Sequence, residues 1–244
     1  MRDEVYSTVQ PHIVDFAFTE EVARVFPDMI RRSVPGYETI IPMTGLISAN
    51  HLKSDDKVVD LGCSLGATSQ AIAALTELNI KIIGIDNSTA MISSAQKANA
   101  DPRIEFVQAD ILSSEALNRI HGAKVIVMNF ILQFCPPDER KRLLQSVHNA
   151  MAPDGLLILS EKVCDEEATR HAYFDATHLA WKRANGYSDL EVSQKRTALE
   201  EVMKVDSEEI HTERLHAAGF QVVDQWYKCM NWASFLAWVD PLER

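Results

Sequence analysis

Three acidic residues stand at the ends of three successive apolar runs of the chain. Asp60 ends the run KVVD, Asp86 ends KIIGID and Asp110 ends RIEFVQAD. If these runs are parallel strands, their carboxyl ends border one crevice, where α/β sheets bind ligands. Carboxylates accept hydrogen bonds from ribose hydroxyls and amino groups, whereas they repel a pyrophosphate. A single such acid could be a helix N-cap, but three of them favour a pocket for a neutral or cationic adenosyl ligand.

A glycine-rich turn, GCSLG (62–66), follows the first of these acids. The spacing Asp60-x-Gly62-x-x-x-Gly66 departs from the dinucleotide pattern GxGxxG, and such a turn also occurs in α/β proteins that hold no nucleotide. Asp86 lies 20 residues after Gly66. An acid at that place can accept hydrogen bonds from both ribose hydroxyls. The predicted ligand is therefore S-adenosyl-L-methionine (SAM) or a derivative of it.

The fourth apolar run, AKVIVMN, ends on Asn129. Methyltransferases that act on the exocyclic amines of bases often carry D/N-P-P-Y here, whereas this chain continues Asn129-Phe130-Ile131 without a proline. Methylation of base amines is therefore disfavoured. Asn129 has two interpretations, a ligand contact in the crevice or a loop residue bonded to its own backbone.

The elements that must position these residues alternate between strand and helix from residue 57 onward. Apolar, β-branched runs between helical stretches are typical of parallel strands buried on both faces of a sheet. The predicted strands are 57–62, 81–86, 103–110, 123–130 and 155–162. Two further runs, 221–231 and 234–239, lie too close together for a helical crossover, so one of them must run antiparallel. We predict an α/β, Rossmann-like SAM-dependent methyltransferase fold, a mostly parallel seven-stranded sheet with a C-terminal antiparallel hairpin and added helices.

Two helical additions are predicted around this sheet, within a single methyltransferase-like domain that covers residues 1–244. Residues 1–56 form an N-terminal helical extension in which Pro27 and Pro35 are the expected helix breakers. Residues 163–204 form a helical insertion after the fifth strand. Because insertions at the carboxyl ends of parallel strands cover the ligand crevice, we expect 163–204 to roof the site.

The acidic composition limits the expected partners. The chain of 244 residues has a net charge of −11, and direct nucleic acid binding is not expected because phosphate contacts need clustered Lys and Arg. We find neither a secretory signal nor an apolar run of about 18 residues, so no membrane partner is expected and a cytoplasmic location is favoured. The 4 cysteines are scattered without a CxxC pair, so we expect neither a disulfide framework nor a metal site.

Several blocks of the sequence resemble the carboxy-S-adenosyl-L-methionine (carboxy-SAM) synthase family over most of the chain. The strand-end motifs DLGCSLGA, IGIDNS, NFILQF and LSEK are similar to those of the family. Two helical blocks, VFPDMIRRSVPGYETII (25–41) and KRANGYSDLEVSQKRTALEEVM (182–203), make the resemblance specific, because other methyltransferase-like proteins lack them. The chain departs from the family in the stretch 164–181 and in a tail with Trp232 and Trp238, and neither is expected to touch the ligand residues.

The resemblance implies a reaction other than methyl transfer. The family converts SAM and prephenate to carboxy-SAM, phenylpyruvate and water. A separate tRNA carboxymethyltransferase then uses carboxy-SAM to modify 5-hydroxyuridine at the wobble position of certain tRNAs. By position, the ligand-binding residues of the family fall on Tyr37, Gly62, Cys63, Ser64, Asp86, Asn87, Asp110, Ile111, Asn129 and Arg196. The chain is thus expected to be an enzyme that binds SAM or carboxy-SAM and uses no metal.

Arg196 and Tyr37 are the residues for which a catalytic role is expected. The resemblance places Arg196 in the active site of a neighbouring subunit, which implies a homodimer, and an Arg can bind the added carboxylate bidentately. The helix that carries Arg196 is predicted to begin with a capping box, Ser188-x-x-Glu191, and to have Lys195 and Arg196 at the two edges of an apolar stripe. Basic residues at such edges also simply extend to water, so both interpretations stay open. Tyr37 is expected to orient the ligand rather than act as a base.

No His, Glu or Lys is marked by its sequence context as a general base. His171 and His178 lie in the divergent stretch, and a structural or surface role is expected for each. The favoured scheme is substrate-assisted. Prephenate loses carbon dioxide and its ring hydroxide, the hydroxide deprotonates SAM, and the resulting ylide captures the carbon dioxide. An ordinary methyltransferase and a binding module for a SAM-like metabolite are the alternatives, and prephenate-dependent turnover would separate them.

Overall fold

The computed structural model describes residues 1–10 and 12–240 and places them around a central β-sheet. Seven strands lie side by side in the order β3-β2-β1-β4-β5-β8-β7, and the short β6 pairs with β5 off this path. The strands are β1 (Lys57–Leu61), β2 (Lys81–Asp86), β3 (Ile104–Gln108), β4 (Ala123–Asn129), β5 (Met151–Cys164), β6 (Asp206–Ser207), β7 (Val222–Cys229) and β8 (Trp232–Trp238).

Strands β1 to β5 are parallel to one another, as the apolar runs predict. Their side chains alternate between two hydrophobic clusters, one on each face of the sheet. Val59, Ile83 and Ile126 belong to one cluster, and Val58 and Ile82 belong to the other. Burial on both faces explains why these runs are continuously apolar and not alternating.

The C-terminal hairpin is confirmed, and β8 is the strand that runs antiparallel to both of its neighbours, β5 and β7. The structure also has a strand that the sequence does not predict. Asp206–Ser207 pairs in parallel with Val163 and Cys164 at the end of β5. Two residues are too few to show a periodic pattern, so pairing alone defines this strand.

Helices cover both faces of the sheet. Those that contribute to the Val59 cluster are α5 (Ser114–Arg119), α6 (Arg140–Ala150) and α9 (Glu208–Ala218). The opposite face is covered by α3 (Ala67–Ala74) and α4 (Thr89–Ala98). The three-layer arrangement places the carboxyl ends of the parallel strands at one open edge of the sheet.

Four further helices lie in the two segments predicted as additions. They are α1 (Glu20–Ser33) and α2 (Tyr37–His51) before β1, and α7 (Ala168–Ala184) and α8 (Asp189–Glu200) after β5. Pro27 lies inside α1 and does not break it, contrary to expectation, whereas Pro35 lies between α1 and α2. Within the described part of the chain, none of the helices combines the length and the apolar character that crossing a membrane requires.

Candidate active site

A cavity of about 480 Å³ opens at the carboxyl ends of β1, β2 and β4, a volume within the usual range for small-molecule sites. Residues of α1, α2, α7 and α8 also line it. The predicted ligand residues in its wall are Tyr37, Gly62, Cys63, Ser64, Asp86, Asn87, Ile111 and Asn129. Asp110 and Arg196, the other two predicted residues, do not line it in this chain.

The glycine-rich turn can pack against Ile131 in the cavity wall because Gly62 lacks a side chain. Its φ of 73° is left-handed, and a Cβ there would meet Cγ1 of Ile131 at 2.6 Å. Two residues later, the backbone N–H of Ser64 donates to Oδ2 of Asp86 at 2.9 Å. The turn therefore joins the ends of β1 and β2, and the carboxylate of Asp86 lies between them.

Asp86 is the last residue of β2 and has both carboxylate oxygens oriented by backbone groups. Oδ2 accepts from Ser64, and Oδ1 accepts from the N–H of Ser88 at 2.9 Å. Each oxygen keeps one free acceptor direction, since a carboxylate oxygen can accept two hydrogen bonds. Burial raises the pKa of Asp86. A rigid, half-buried carboxylate facing the cavity is suited to accept two vicinal ribose hydroxyls.

Asp110 and Ile111 are adjacent in the chain but differ in exposure to solvent. β3 ends at Gln108, so Asp110 lies in the following loop, where Oδ1 accepts from the N–H of Leu112 at 2.9 Å. Asp110 is exposed, whereas Ile111 is buried and lines the cavity. The packing of Ile111 suits a flat apolar ring, and the contact of Asp110 with an adenine amino group stays a prediction.

Asn129 has an unsatisfied acceptor in this cavity. Its Nδ2 donates to Oγ1 of Thr68 at 3.3 Å, while its buried Oδ1 has no partner within the described residues. A buried acceptor without a donor is costly, and a ligand amine would satisfy it. Asp60 lies nearby in the same wall, where its Oδ2 accepts from Oγ of Ser69 at 2.7 Å and burial raises its pKa to about 6. The donor and acceptor set thus fits the amino group and ribose of SAM.

The loop after Asn129 is fixed by the buried carboxylate of Glu161, a residue that the sequence does not mark as part of the site. Glu161, at the end of β5, accepts the backbone N–H groups of Ile131, Leu132 and Gln133 at 3.1, 2.7 and 3.0 Å. These three bonds fix the short 3₁₀ turn Leu132–Phe134. Phe130, two residues before this turn, has a left-handed φ of 62°. Phe130 and Ile131, which lead into this turn, line the cavity.

Tyr37 begins α2 and its ring lies 6.3 Å from that of Phe130, between ring centres. Burial, and secondarily the charge of Asp60, raises the pKa of Tyr37 to about 12. The hydroxyl therefore stays protonated at neutral pH and can donate a hydrogen bond, but it is a poor base. This agrees with an orienting role.

Three lysines in the cavity wall were not predicted as site residues: Lys162, Lys182 and Lys195. The interpretation that Lys195 extends to water from the edge of the apolar stripe is wrong, because Lys195 is only 6% exposed and its Nζ contacts Oγ of Ser33 at 3.0 Å. Lys162 alone had a usable sequence signal, since it follows the last apolar residues of β5 at the ligand edge of the sheet. The capping box of α8, Ser188 with Glu191, is confirmed.

His178 and Trp232 also line the cavity. Nε2 of His178 donates to the backbone oxygen of Ser33 at 2.8 Å, and burial lowers the pKa of its ring to about 3, so the ring is neutral. The ring of Trp232 contacts His178 and Phe130, with centres 5.9 and 5.4 Å apart. Trp232, from the divergent tail, and His178, from the divergent stretch 164–181, thus share the cavity wall with the predicted ligand residues. β8 pairs with β5, and this pairing returns the tail to the strand end that carries Lys162.

Arg196 is exposed on α8, whereas its neighbour Lys195 is buried. Successive residues of a helix differ by about 100° in direction, so the two side chains leave the helix on different sides. The cavity of one chain thus lacks Arg196, and its role across subunits stays a prediction. Within the described residues, no group of three or more His, Cys, Asp or Glu side chains is arranged to hold a metal ion.

Comparison with known proteins gives three similarities. A family model described as a methyltransferase domain matches residues 58–155. The carboxy-S-adenosyl-L-methionine synthase of Pseudomonas paraeruginosa (strain DSM 24068 / PA7) is 45% identical over 244 residues, covering 96% of this chain and 95% of the relative. The synthase of Pseudomonas aeruginosa (strain UCBPP-PA14) is also 45% identical, with coverage of 96% and 98%.

The fold also resembles solved methyltransferase structures. Human N-acetylserotonin methyltransferase in complex with SAM superposes with a TM-score of 0.60, over 90% of this chain and 55% of the human chain. The sequence identity is 16%, so this likeness concerns the fold alone.

Proposed function

This chain belongs to the carboxy-S-adenosyl-L-methionine synthase family, and we propose that it converts SAM and prephenate to carboxy-SAM, phenylpyruvate and water. The resemblance seen in the sequence motifs is thereby confirmed at the level of the family. The observation that carries the proposed reaction is the polarity of the cavity, which has acids at β1 and β2 and lysines from β5, α7 and α8. The sulfonium of SAM is itself a cation, so lysines in the same cavity do not help an ordinary methyltransferase. They do help to bind an anionic co-substrate such as prephenate.

The proposed roles follow from position in the cavity. Asp86 binds the ribose, Ile111 packs on the adenine, and the free Oδ1 of Asn129 accepts from the amino group of SAM. Tyr37 donates a hydrogen bond that orients the reacting end. Arg196 of a second subunit binds the carboxylate of carboxy-SAM, which implies a homodimer.

The proposed chemistry needs no protein base. The prephenate dianion splits into carbon dioxide, hydroxide and phenylpyruvate. The hydroxide takes one proton from the sulfonium methyl group and becomes water, and the methyl carbon then forms a bond to the carbon dioxide. The protein holds the reactants together and excludes bulk water with an apolar wall that includes Phe16, Phe18 and Trp232.

The product is proposed to leave the enzyme as a metabolite. A separate tRNA carboxymethyltransferase would consume it at wobble uridines, in the cytoplasm. With a net charge of −11, direct binding of the tRNA by this chain is not part of the proposal.

Turnover with defined substrates tests the proposed function. Incubation with SAM and prephenate should yield carboxy-SAM and phenylpyruvate in equal amounts, measured by liquid chromatography with mass spectrometry. Reactions that lack prephenate should yield neither product. Formation of S-adenosylhomocysteine instead would favour an ordinary methyltransferase, and ligand binding without turnover would favour a binding module.

A further inference from the structure

Three lysines from three different elements meet in one part of the cavity wall. Lys162 lies near the end of β5, Lys182 in the last turn of α7 and Lys195 in α8. Arg31 and Glu38 of the wall form an exposed ion pair with each other. The buried or half-buried acids of the wall, Asp60 and Asp86, belong to β1 and β2, which lie beyond β4 in the sheet order. The cavity therefore has an acidic end and a cationic end.

Two of the three lysines have anionic or polar partners. Nζ of Lys195 contacts Ser33 at 3.0 Å and lies 3.5 Å from Oδ2 of Asp3. Nζ of Lys162 lies 3.6 Å from Oδ1 of Asp175. For Lys182, no hydrogen-bond or ion-pair partner is found among residues 1–10 and 12–240, so this ammonium is the unpaired cation of the group.

The surroundings of Lys182 disfavour its charge. Burial lowers the pKa of Lys182 to about 7, and the positive charges of Lys195 and Lys162 lower it further in the same direction. Burying an ammonium beside other cations is costly unless an anion accompanies it. An anionic ligand would satisfy Lys182 and reduce the repulsion among the three.

We propose that Lys182, supported by Lys162, binds the pyruvyl carboxylate of prephenate. This inference rests on the proposed function. Prephenate has two carboxylates, of which the ring carboxylate leaves as carbon dioxide and the pyruvyl carboxylate is retained in phenylpyruvate. A cation on the leaving carboxylate would stabilise charge that decarboxylation must remove, and so would slow the reaction. The retained carboxylate keeps its charge, so a cation binds it equally strongly in the ground state and in the transition state.

Such uniform binding has a defined kinetic consequence. Loss of the contact should raise the KM for prephenate while leaving kcat nearly unchanged. For Lys182→Gln we expect KM for prephenate to rise about 10- to 100-fold, the factor that corresponds to losing a charge-assisted hydrogen bond. The KM for SAM should stay within about twofold, because SAM binds at the acidic end. Lys182→Arg should restore most of the affinity, since it keeps the charge.

Arg183→Gln is the matched control. Arg183 is the next residue of α7, is half exposed, and pairs with Asp189 outside the cavity. This variant should leave both KM values unchanged. Thermal unfolding of all variants verifies that the fold is retained.

Inhibition by phenylpyruvate identifies the carboxylate that Lys182 binds. Phenylpyruvate retains the pyruvyl carboxylate and lacks the ring carboxylate, so its Ki should rise in Lys182→Gln by the same factor as the KM for prephenate. A raised KM with an unchanged Ki would overturn the assignment to the pyruvyl group. An unchanged KM in an active, folded Lys182→Gln enzyme would overturn the subsite altogether. Failure of the wild-type enzyme to use prephenate would overturn the proposed function instead.

Discussion

At the scale of single residues, Asp86 links two strand ends and is also the residue proposed to bind the ribose. Its two oxygens accept the N–H groups of Ser64 and Ser88, and this fixes the carboxylate between two strand ends. Asp86 also lines the cavity. A side chain oriented in this way loses little entropy when a ligand binds, so its hydrogen bonds contribute fully to affinity.

Replacing Asp86 with Ala should reduce the affinity for SAM about 100-fold or more. The reason is that two charge-assisted hydrogen bonds to the ribose would be lost together. Isothermal titration calorimetry with SAM measures the effect, and Asp138→Ala, at an exposed acid outside the cavity, is the control. An unchanged affinity in the Asp86 variant would remove this residue from the site.

Lys182 changes its charge near neutral pH, because burial lowers its pKa to about 7. The charged groups close enough to affect its pKa are Lys162 on β5, Lys195 and Arg196 on α8, and Asp175 on α7. His178 on α7 is neutral at this pH because burial lowers its pKa to about 3. The cations lower the pKa of Lys182 and Asp175 raises it.

This pKa predicts a pH dependence with a definite sign. Lys182 is an ammonium below pH 7 and a neutral amine above it, so affinity for the prephenate dianion is present below the pKa and lost as pH rises through it. kcat/KM for prephenate should therefore fall above pH about 7. In Lys182→Arg this alkaline fall should be absent, because a guanidinium stays protonated. An identical profile for both enzymes would exclude Lys182 as its source.

At the scale of elements, a buried arginine of α6 ties three segments together. Arg140 is 1% exposed, and its Nε donates to the backbone oxygen of Cys135 at 3.1 Å. Its Nη2 donates to the backbone oxygens of Gln133 at 3.2 Å and Lys204 at 2.8 Å, and its Nη1 pairs with Asp206 at 2.6 Å. The arginine thus joins the 3₁₀ turn near the site to the segment that follows α8.

Arg140→Ala should lower the free energy of unfolding by about 2–4 kcal/mol, because it removes a hydrogen-bond donor from three backbone carbonyls in a buried place, while Asp206 keeps its pair with Arg214. Arg142→Ala, on the same helix, should cost less than about 1 kcal/mol, since Arg142 forms an exposed pair with Glu139. Urea-induced unfolding at neutral pH measures both values. Equal losses of unfolding free energy in the two variants would contradict the role of Arg140 in joining these segments.

At the scale of the whole molecule, the proposed site is incomplete in one chain. Arg196 is exposed outside the cavity, whereas Tyr37 and Asp86 line it. A second copy of the chain that supplies Arg196 would complete the site, and it would place a bidentate cation beside the cationic end formed by the lysines.

Complementation between two inactive variants tests this arrangement. Arg196→Ala keeps its cavity but supplies no arginine, and Asp86→Ala supplies the arginine but lacks a working cavity. Random mixing should form one complete site in each mixed dimer and restore about a quarter of wild-type activity, since half of the dimers are mixed and each has one working site of two. Absence of any recovery, with mixed dimers verified by mass spectrometry, would place Arg196 in its own subunit.

The fold and the acidic end of the site could be predicted from the sequence because both depend on local patterns. Continuous apolar runs, which result from burial on both faces of the sheet, define the parallel strands. The ends of these strands determine where Asp60 and Asp86 lie. The antiparallel hairpin followed equally from the short distance between its two runs. Family motifs such as the capping box of α8 were also visible, since they are set by residues only three apart.

The cationic end was decided only by tertiary structure. Lys162, Lys182 and Lys195 come from a strand and two helices, and nothing in their spacing shows that they face one cavity. Which side of α8 is buried depends on its packing against the N-terminal segment, where Gln194 bonds the backbone oxygens of Tyr6 and Thr8 and Lys195 contacts Ser33. Periodicity placed Lys195 and Arg196 alike at the edges of a stripe. Long-range contacts buried one and exposed the other, because a helix has a single rotation in the fold and its neighbours set it.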